Sequence, residues 1–274
     1  MHILLTNDDG IYAEGLYAAY KQLAQFADVT VVAPDCEQSS VGHGITLFAP
    51  LFVKKISVEH RFDGFAISGK PADCVKWAVN VLFKGKKPDM VISGINSGNN
   101  DGCSVFYSGT VAAAREGALM GIKSFAVSVD SFDNPDFSIA ARFTAKLAKW
   151  ATQNSLPSGT FLNVNVPPGK PKGVRLTRQG TEPIHEFFEK RKSPHGQNYY
   201  WMGSKMPTHK NDNTIDTYAL KNKFIAVTPI QSDLTDNVFL DKVKLPNLSV
   251  FLEKGSGILP APLGAGCREK TYDF

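Results

Sequence analysis

The feature that most constrains this chain lies within its first ten residues. Ile3-Leu4-Leu5-Thr6 is an apolar run of strand length, and it empties directly into Asn7-Asp8-Asp9-Gly10. Two adjacent carboxylates at the carboxyl end of a strand repel each other unless a cation sits between them. Oxygen-only ligands favour Mg²⁺, Mn²⁺ or Ca²⁺ over zinc, and open α/β sheets bind their ligands just outside the carboxyl ends of their strands. Asp-Gly pairs are also ordinary turn chemistry. On Asp8 and Asp9 alone, a metal site and a solvated turn stand about even.

From the start to about residue 130, short apolar runs alternate with amphipathic stretches. This is the pattern of βαβ units that pack helices on a mainly parallel sheet, so the expected fold class is α/β. Strands are expected at Ile3 to Thr6, Val29 to Ala33, Met90 to Ser93 and Phe125 to Val129, with additional strands at Leu47 to Val58 and Phe65 to Ser68. Helices are expected at Leu16 to Phe26, Ala72 to Phe83 and Val111 to Met120, the second entered through Lys70-Pro71, with proline in a favoured first-turn position. Phe137 to Trp150 reads as a further helix, and Phe161 to Val166 as a buried strand stopped by Pro167-Pro168.

Beyond residue 180 the character changes. Phe187, Phe188, Tyr199, Tyr200 and Trp201 flank a turn signal at Ser193-Pro194-His195-Gly196. An isolated hairpin is marginally stable, so an aromatic arm of this kind, expected at about residues 183–222, packs on the body or on another subunit. Phe224 to Ile230 reads as a strand returning to the main fold. The residues from 237 to 274 are rich in proline and glycine, which suggests an irregular extension following one large domain over residues 1–236.

The bulk numbers exclude several classes. Hydrophobic residues at 43% and charged residues at 20% rule out global disorder and fibrous folds. A net charge of +4 is too mild for a nucleic-acid binder without a clustered patch, and Lys190 to Lys192 is interleaved with Glu186 and Glu189. No apolar run approaches the roughly 20 residues of a spanning helix, and the chain opens on a strand in place of a signal peptide. A cytoplasmic protein without a membrane partner is expected. The 4 cysteines are scattered without C-x-x-C spacing, which argues against zinc or a disulfide framework.

If the sheet is doubly wound, other strand-end loops meet Asp8-Asp9 at one edge, and they are unusually polar. The second strand runs into Pro34-Asp35 and then Gln38-Ser39-Ser40-Val41-Gly42-His43-Gly44. A later one ends in Ser93-Gly94-Ile95-Asn96-Ser97-Gly98-Asn99-Asn100. Tyr107-Ser108-Gly109-Thr110 stands immediately before an Ala-rich helix, where hydroxyls and unpaired backbone N–H groups make a ready anion site. Each part has a bland alternative: Ser108 or Thr110 is more often a plain helix cap, Asn96 and Asn100 turn residues, and His43 a surface residue. Together the loops suggest a phosphate ester held against a metal. An aspartyl-phosphate phosphatase would need D-x-D-x-T after the first strand, and a dinucleotide oxidoreductase G-x-G-x-x-G; neither is there. A receiver-like metal-binding signalling domain, or a non-catalytic nucleotide-binding protein, is the alternative.

Asn7-Asp8-Asp9-Gly10, Ala33-Pro34 leading to Ser39, Gly42-His43-x-Ile45-Thr46, Gly69-x-Pro71-Ala72-Asp73-Cys74-Val75, Ser93-Gly94-Ile95-Asn96-x-Gly98 and Tyr107-Ser108-Gly109-Thr110-Val111 together resemble the survival protein E (SurE) family of metal-dependent nucleoside monophosphate phosphatases. Asn163-x-Asn165-Val166-Pro167, Thr177-Arg178-Gln179, Asp216-x-Tyr218-Ala219 and Val227-Thr228-Pro229-Ile230 extend the resemblance over roughly residues 1–236. It implies a Rossmann-like three-layer core, a protruding β-hairpin arm exchanged between subunits of a homodimer or homotetramer, and hydrolysis of 5′- and 3′-nucleoside monophosphates. Polyphosphate is a further substrate in some members. The resemblance further implies one divalent cation per subunit, Mg²⁺ or Mn²⁺ ahead of Ca²⁺, with Asp8, Asp9, Ser39 and Asn96 as ligands. By the same resemblance Asp8, Asp9, Asn96 and Ser108 are catalytic, and Ser39, Asn96, Ser108, Gly109 and Thr110 contact phosphate. Three positions depart from the family pattern: Asn99 replaces a proline, Ser104 stands where a carboxylate is expected, and Tyr107 stands where some members have histidine.

Overall fold

The apolar run at the start forms β1 (His2–Thr6), and Ile3, Leu4 and Leu5 in it are fully buried. A strand buried on both faces needs cover on both, and alternate side chains point to opposite faces. Ile3 and Leu5 accordingly join one core with Leu16, Leu23, Ala140 and Ala148, while Leu4 joins a second with Val32, Val75, Val91 and Ala113. The result is the expected three-layer α/β arrangement.

In a computed structural model describing residues 1–58, 60–205 and 211–243, β1 is followed by α1 (Glu14–Leu23), β2 (Asp28–Pro34), β3 (Val53–Val58), β4 (Phe62–Ile67) and α2 (Pro71–Trp77). Next come β5 (Met90–Ser97), α3 (Gly109–Leu119), β6 (Lys123–Val129), α4 (Ser138–Gln153), β7 (Thr160–Val166) and β8 (Gly173–Leu176). The hairpin β9 (His185–Lys192) and β10 (Asn198–Lys205), α5 (Asp216–Lys221) and β11 (Phe224–Gln231) complete the body. Nine strands form one sheet in the order β3-β4-β2-β1-β5-β6-β7-β11-β8. Only β3 with β4 and β7 with β11 pair antiparallel within it.

The chain leaves β1 toward β2 on one side, and β5 returns to pair with β1 on the other, Thr6 opposite Ser93. Strand order therefore reverses between β1 and β5. In doubly wound sheets this switch point opens a crevice beyond the carboxyl ends of the strands, where ligands bind. Asn7–Gly10 after β1 and the segment running out of β5 past Asn96 border that crevice.

Several elements differ from the sequence reading. Residues 47–52 form no strand and expose Leu47 and Phe48; pairing begins only at Val53, after Pro50. The helix from Pro71 widens to π geometry over Ala78–Leu82, where Phe83 N–H reaches Ala78 O at 2.9 Å. Within the stretch 183–222 the hairpin occupies His185 to Lys205, closed by the expected Ser-Pro-His-Gly turn with Gly196 N–H on Ser193 O at 2.9 Å. Asp216–Lys221 is instead a short helix with Asp216, Ala219 and Leu220 buried. Contacts divide the chain into Met1–Asp233 and Leu234–Phe274. In the second unit a single turn, α6 (Asn237–Leu240), is capped by Asp236, and the proline- and glycine-rich extension beyond residue 243 lies outside the described residues. Among the described residues no helix is long and apolar enough to cross a membrane.

Candidate metal and phosphate site

Asp8 and Asp9 stand side by side at the end of β1, Asp8 almost fully buried and Asp9 half-buried. Burial pushes the Asp8 carboxyl above its ordinary value, against two hydrogen bonds from Thr110. Burial, and then the charge of Asp8, push Asp9 up to about 6. Both shifts are led by the same cause, a carboxylate taken out of water, and at Asp9 the neighbouring charge of Asp8 adds to it.

The amino terminus of α3 comes directly onto Asp8. Thr110 N–H donates to Asp8 Oδ2 at 2.9 Å, and the Thr110 hydroxyl donates to Asp8 Oδ1 in a short contact. Gly109 permits this approach, because a Cβ there would lie 2.9 Å from Asp8 Cβ. Ser108 is the N-cap, its Oγ accepting from Val111 N–H at 3.1 Å. Its own hydroxyl hydrogen is thereby left for the cavity it lines.

A cavity of 480 Å³ opens at this edge, lined among others by Asp8, Ser39, Asn96, Ser104, Tyr107 and Ser108. Asn96 spends its amide hydrogens on Ser97 O at 3.2 Å and Gly98 O at 2.7 Å, so its carbonyl oxygen is the group left for a ligand. Asp9 Oδ2 accepts from Ser97 N–H at 3.2 Å, which ties the second acid to the β5 loop. Ser39 is exposed and donates to Glu37 Oε1 at 2.5 Å. Its loop is anchored by Gln38 N–H on Asp8 O and Gly42 N–H on Tyr107 O, both at 2.8 Å. The structure thus brings Asp8, Ser39, Asn96 and Ser108 to one cavity. Asp9, Gly109 and Thr110 buttress it from behind, through Ser97 and Asp8.

The donor set fits a hard divalent cation: two carboxylates, an amide oxygen and a hydroxyl, all oxygen. Among the described residues no three His, Cys, Asp or Glu side chains that could hold a metal ion come together, so Asp8 and Asp9 would need neutral oxygens to complete a shell.

Other residues of consequence escaped sequence reasoning. His43, read as a surface residue, meets Glu116 Oε2 at 2.9 Å, and Lys76 meets Glu116 Oε1 at 2.7 Å. Burial raises the Glu116 carboxyl, but the hydrogen bonds from His43 and Lys76 outweigh it and hold the group below its usual range. Behind the β5 loop, Asn165 Oδ1 accepts from Asn100 N–H at 2.8 Å, Asn163 Nδ2 donates to Asn100 O at 2.7 Å, and Asn100 Nδ2 donates to Ser128 Oγ at 2.8 Å. Asp101 and Asp216 form a second buried acidic pair, with Asp101 pushed up to about 7 by burial and then by Asp216. His43, Asn163, Asn165 and Asp216 stood in the sequence only as parts of family-like motifs; the Asn-x-Asn spacing on β7 added a local signal, two polar side chains on one face of a mostly apolar strand.

Fold and site define a class: a mainly parallel α/β protein that collects oxygen ligands and a helix amino terminus at the switch point of its sheet. Within that class this chain belongs to the SurE family, whose profile, described as survival protein SurE, matches residues 3–186. It is 47% identical over 251 residues to the 5′-nucleotidase SurE of Syntrophobacter fumaroxidans, covering 90% of this chain and 100% of that protein. It is 45% identical over 247 residues to the 5′-nucleotidase SurE of Thermosipho melanesiensis, covering 89% of this chain and 96% of that one. The crystal structure of the SurE protein from Aquifex aeolicus superimposes with a TM-score of 0.79 at 36% identity, covering 93% of this chain and 100% of that chain. The family and the fold class expected from the sequence are both borne out.

Proposed function

We propose that this chain is a divalent-metal-dependent phosphomonoesterase that hydrolyses 5′- and 3′-nucleoside monophosphates to nucleoside and phosphate. One observation carries the reading: Asp8, Ser39, Asn96 and the Ser108 cap of α3 line one cavity, with Asp9 next to Asp8 and tied to Ser97 of its lining, in a chain nearly half identical to proteins named 5′-nucleotidase. Asp8, Asp9, Ser39 and Asn96 would hold the ion, with Mg²⁺ or Mn²⁺ the best match and Ca²⁺ behind them. When bound, a divalent ion supplies a polarised phosphoryl oxygen and a coordinated water of lowered pKa.

The chain's own residues do the rest. Asp8 is aimed by Thr110 and Asp9 by Ser97, so both carboxylates are set before substrate arrives. Of the first-turn N–H groups of α3, that of Thr110 goes to Asp8 and that of Val111 to Ser108, leaving that of Gly109 for an anion. With the Ser108 hydroxyl it offsets negative charge developing on the phosphoryl oxygens. Ser39 and Asn96, whose hydrogens go to Glu37 and to Ser97 and Gly98, offer oxygens and so serve the cation rather than bonding the phosphate directly, while Thr110 contributes through Asp8.

The exposed aromatics Phe187, Phe188, Tyr199, Tyr200 and Trp201 support a homodimer or homotetramer built by arm exchange. The reading further places the catalytic domain at residues 1–236, the extension at 237–274, the protein in the cytoplasm, and short polyphosphate among its substrates. The deciding assay is phosphate release from a panel of nucleoside monophosphates and polyphosphate with Mg²⁺, Mn²⁺ or EDTA. Release that EDTA abolishes and metal restores is expected. Tight nucleotide binding without release would instead favour the nucleotide-binding alternative.

A further inference from the structure

The cavity is larger than a cation and a phosphate require. At 480 Å³ it falls within the range of about 300–1,000 Å³ that accommodates whole small-molecule ligands, and its lining is of two kinds. Asp8, Asn96 and Ser108 are polar, whereas Phe132, from the segment after β6, and Ile184 and Met202, from the arm, are apolar. Phe132 is the residue without a structural explanation. The residue is 74% exposed, yet it is not loosely placed.

Three contacts hold it. Ser97 Oγ donates to Ser131 O at 3.1 Å, and Gly98 N–H donates to Val129 O at 2.9 Å, tying the segment after β6 to the β5 loop. The ring itself packs against Gly98, where φ is +101° and an added Cβ would come within 2.3 Å of Phe132 Cε1. One side of the ring is therefore seated on backbone and the remainder is open at the cavity. Gly98 is two residues from Asn96, a chain distance of at most about 7 Å, which is the scale of the sugar that separates a phosphate from a base.

Building on the phosphomonoesterase reading, we propose that Phe132 is the seat of the substrate's nucleobase. The base stacks on the open ring while the phosphate lies against Ser108 at the Asn96 end of the cavity, and Met202 and Ile184 of the arm complete the apolar wall. Stacking of this type accepts any base, because every base has a π-face, and favours purines for their larger one. The site therefore selects nucleotides over base-free phosphate esters while discriminating weakly among bases.

The test compares AMP with ribose 5-phosphate, which keeps the sugar and phosphate but lacks the base, in the full chain loaded with metal. Phe132→Ala is expected to raise KM for AMP by roughly 10-fold, within the range measured for loss of a base–aromatic stack. It should leave kcat for AMP and kcat/KM for ribose 5-phosphate near wild type. Phe132→Tyr, which keeps the ring, should retain the AMP KM, and Met202→Ala should show the alanine effect in weaker form. Equal losses on both substrates, or an unchanged KM for AMP, overturn the proposal. If the wild-type chain releases phosphate from neither substrate, the activity reading fails. Calorimetric binding of AMP to wild type and Phe132→Ala then decides the base seat on its own, equal affinities refuting it.

Discussion

Asn163 and Asn165 lie two apart on β7, so they share a face, and both grip the backbone of Asn100, but their removal should have unequal consequences. Asn165→Ala deletes the acceptor of the Asn100 N–H at 2.8 Å and a weaker donor to Asn100 O at 3.3 Å. It orphans a buried N–H, which costs about 1–3 kcal/mol beyond the lost bond itself. Asn163→Ala deletes the 2.7 Å donor to Asn100 O, but that oxygen keeps Asn165, and the mutation also removes Asn163 Oδ1, a buried acceptor with no partner among the described residues. Losing an unsatisfied acceptor returns part of what the lost bond takes away. We therefore expect Asn165→Ala to cost about 2–4 kcal/mol and Asn163→Ala about 1 kcal/mol. In a unit spanning Met1–Asp233, the larger loss corresponds to a fall in Tm of about 4–16 °C. Urea denaturation gives the free energies, and kinetics below the transition should show Asn165→Ala also losing kcat/KM, because Asn100 follows directly on the end of β5 that carries Asn96. If Asn163→Ala is the more damaging variant, or if both fall within 0.5 kcal/mol of wild type, the account of this loop is wrong.

Three other outcomes follow from the same geometry. Asp9→Asn should lower phosphate release at least ~10²-fold while leaving far-UV circular dichroism unchanged, since it removes a ligand charge without changing volume; near-normal turnover would remove Asp9 from the metal shell. Asp101, raised to about 7 from an ordinary 3.8, holds a proton in the folded chain that the unfolded chain releases, so stability should fall as pH rises from about 4 through 7, by on the order of 1–3 kcal/mol. Denaturation midpoints at pH 5 and pH 8 check this, and Asp101→Asn should flatten the slope; a variant as pH-dependent as wild type would refute the assignment. Replacing residues 183–213 by a short Gly-Ser linker, which spares α5, should convert an oligomer seen by light scattering into monomer or aggregate; a wild-type chain that is monomeric at micromolar concentration would exclude arm exchange.

What was legible in the sequence was what local chemistry encodes. The apolar run before Asp8-Asp9, the proline at the start of α2, the Ser-Pro-His-Gly turn and the Ser108 cap each depend on residues within a few positions of one another, and each forms as expected. The stretch 216–221 shows the opposite case. Six residues are too short to display a helical period, and Asp216 is satisfied by the N–H groups of Gly102 and Gly180, 114 and 36 residues away. Nothing near it in the chain announces those partners. The pairing of His43 with Glu116, 73 positions on, was hidden for the same reason.

The α3 amino terminus shows how partial legibility misleads even when the site is located correctly. Read from sequence, the choice at Ser108 and Thr110 was between helix caps and a phosphate site, because both uses draw on the same first-turn donors. The fold divides those donors: Ser108 caps, Thr110 gives its N–H and its hydroxyl to Asp8, and the Gly109 N–H goes to neither. That division depends on β1 and α3 meeting across 102 residues of chain, and on Gly109 lacking the Cβ that would press on Asp8. The anion the helix holds first is thus the protein's own carboxylate, which couples the phosphate cradle to the aim of Asp8. A substitution at Thr110 should accordingly disturb metal affinity as much as phosphate affinity, whereas one at Ser108 should act on the helix and the phosphate while leaving the carboxylate in place. Isothermal titration of Mn²⁺ and of inorganic phosphate into Thr110→Val and Ser108→Ala separates the two, and equal Mn²⁺ affinity in both variants would break the coupling argued from Asp8.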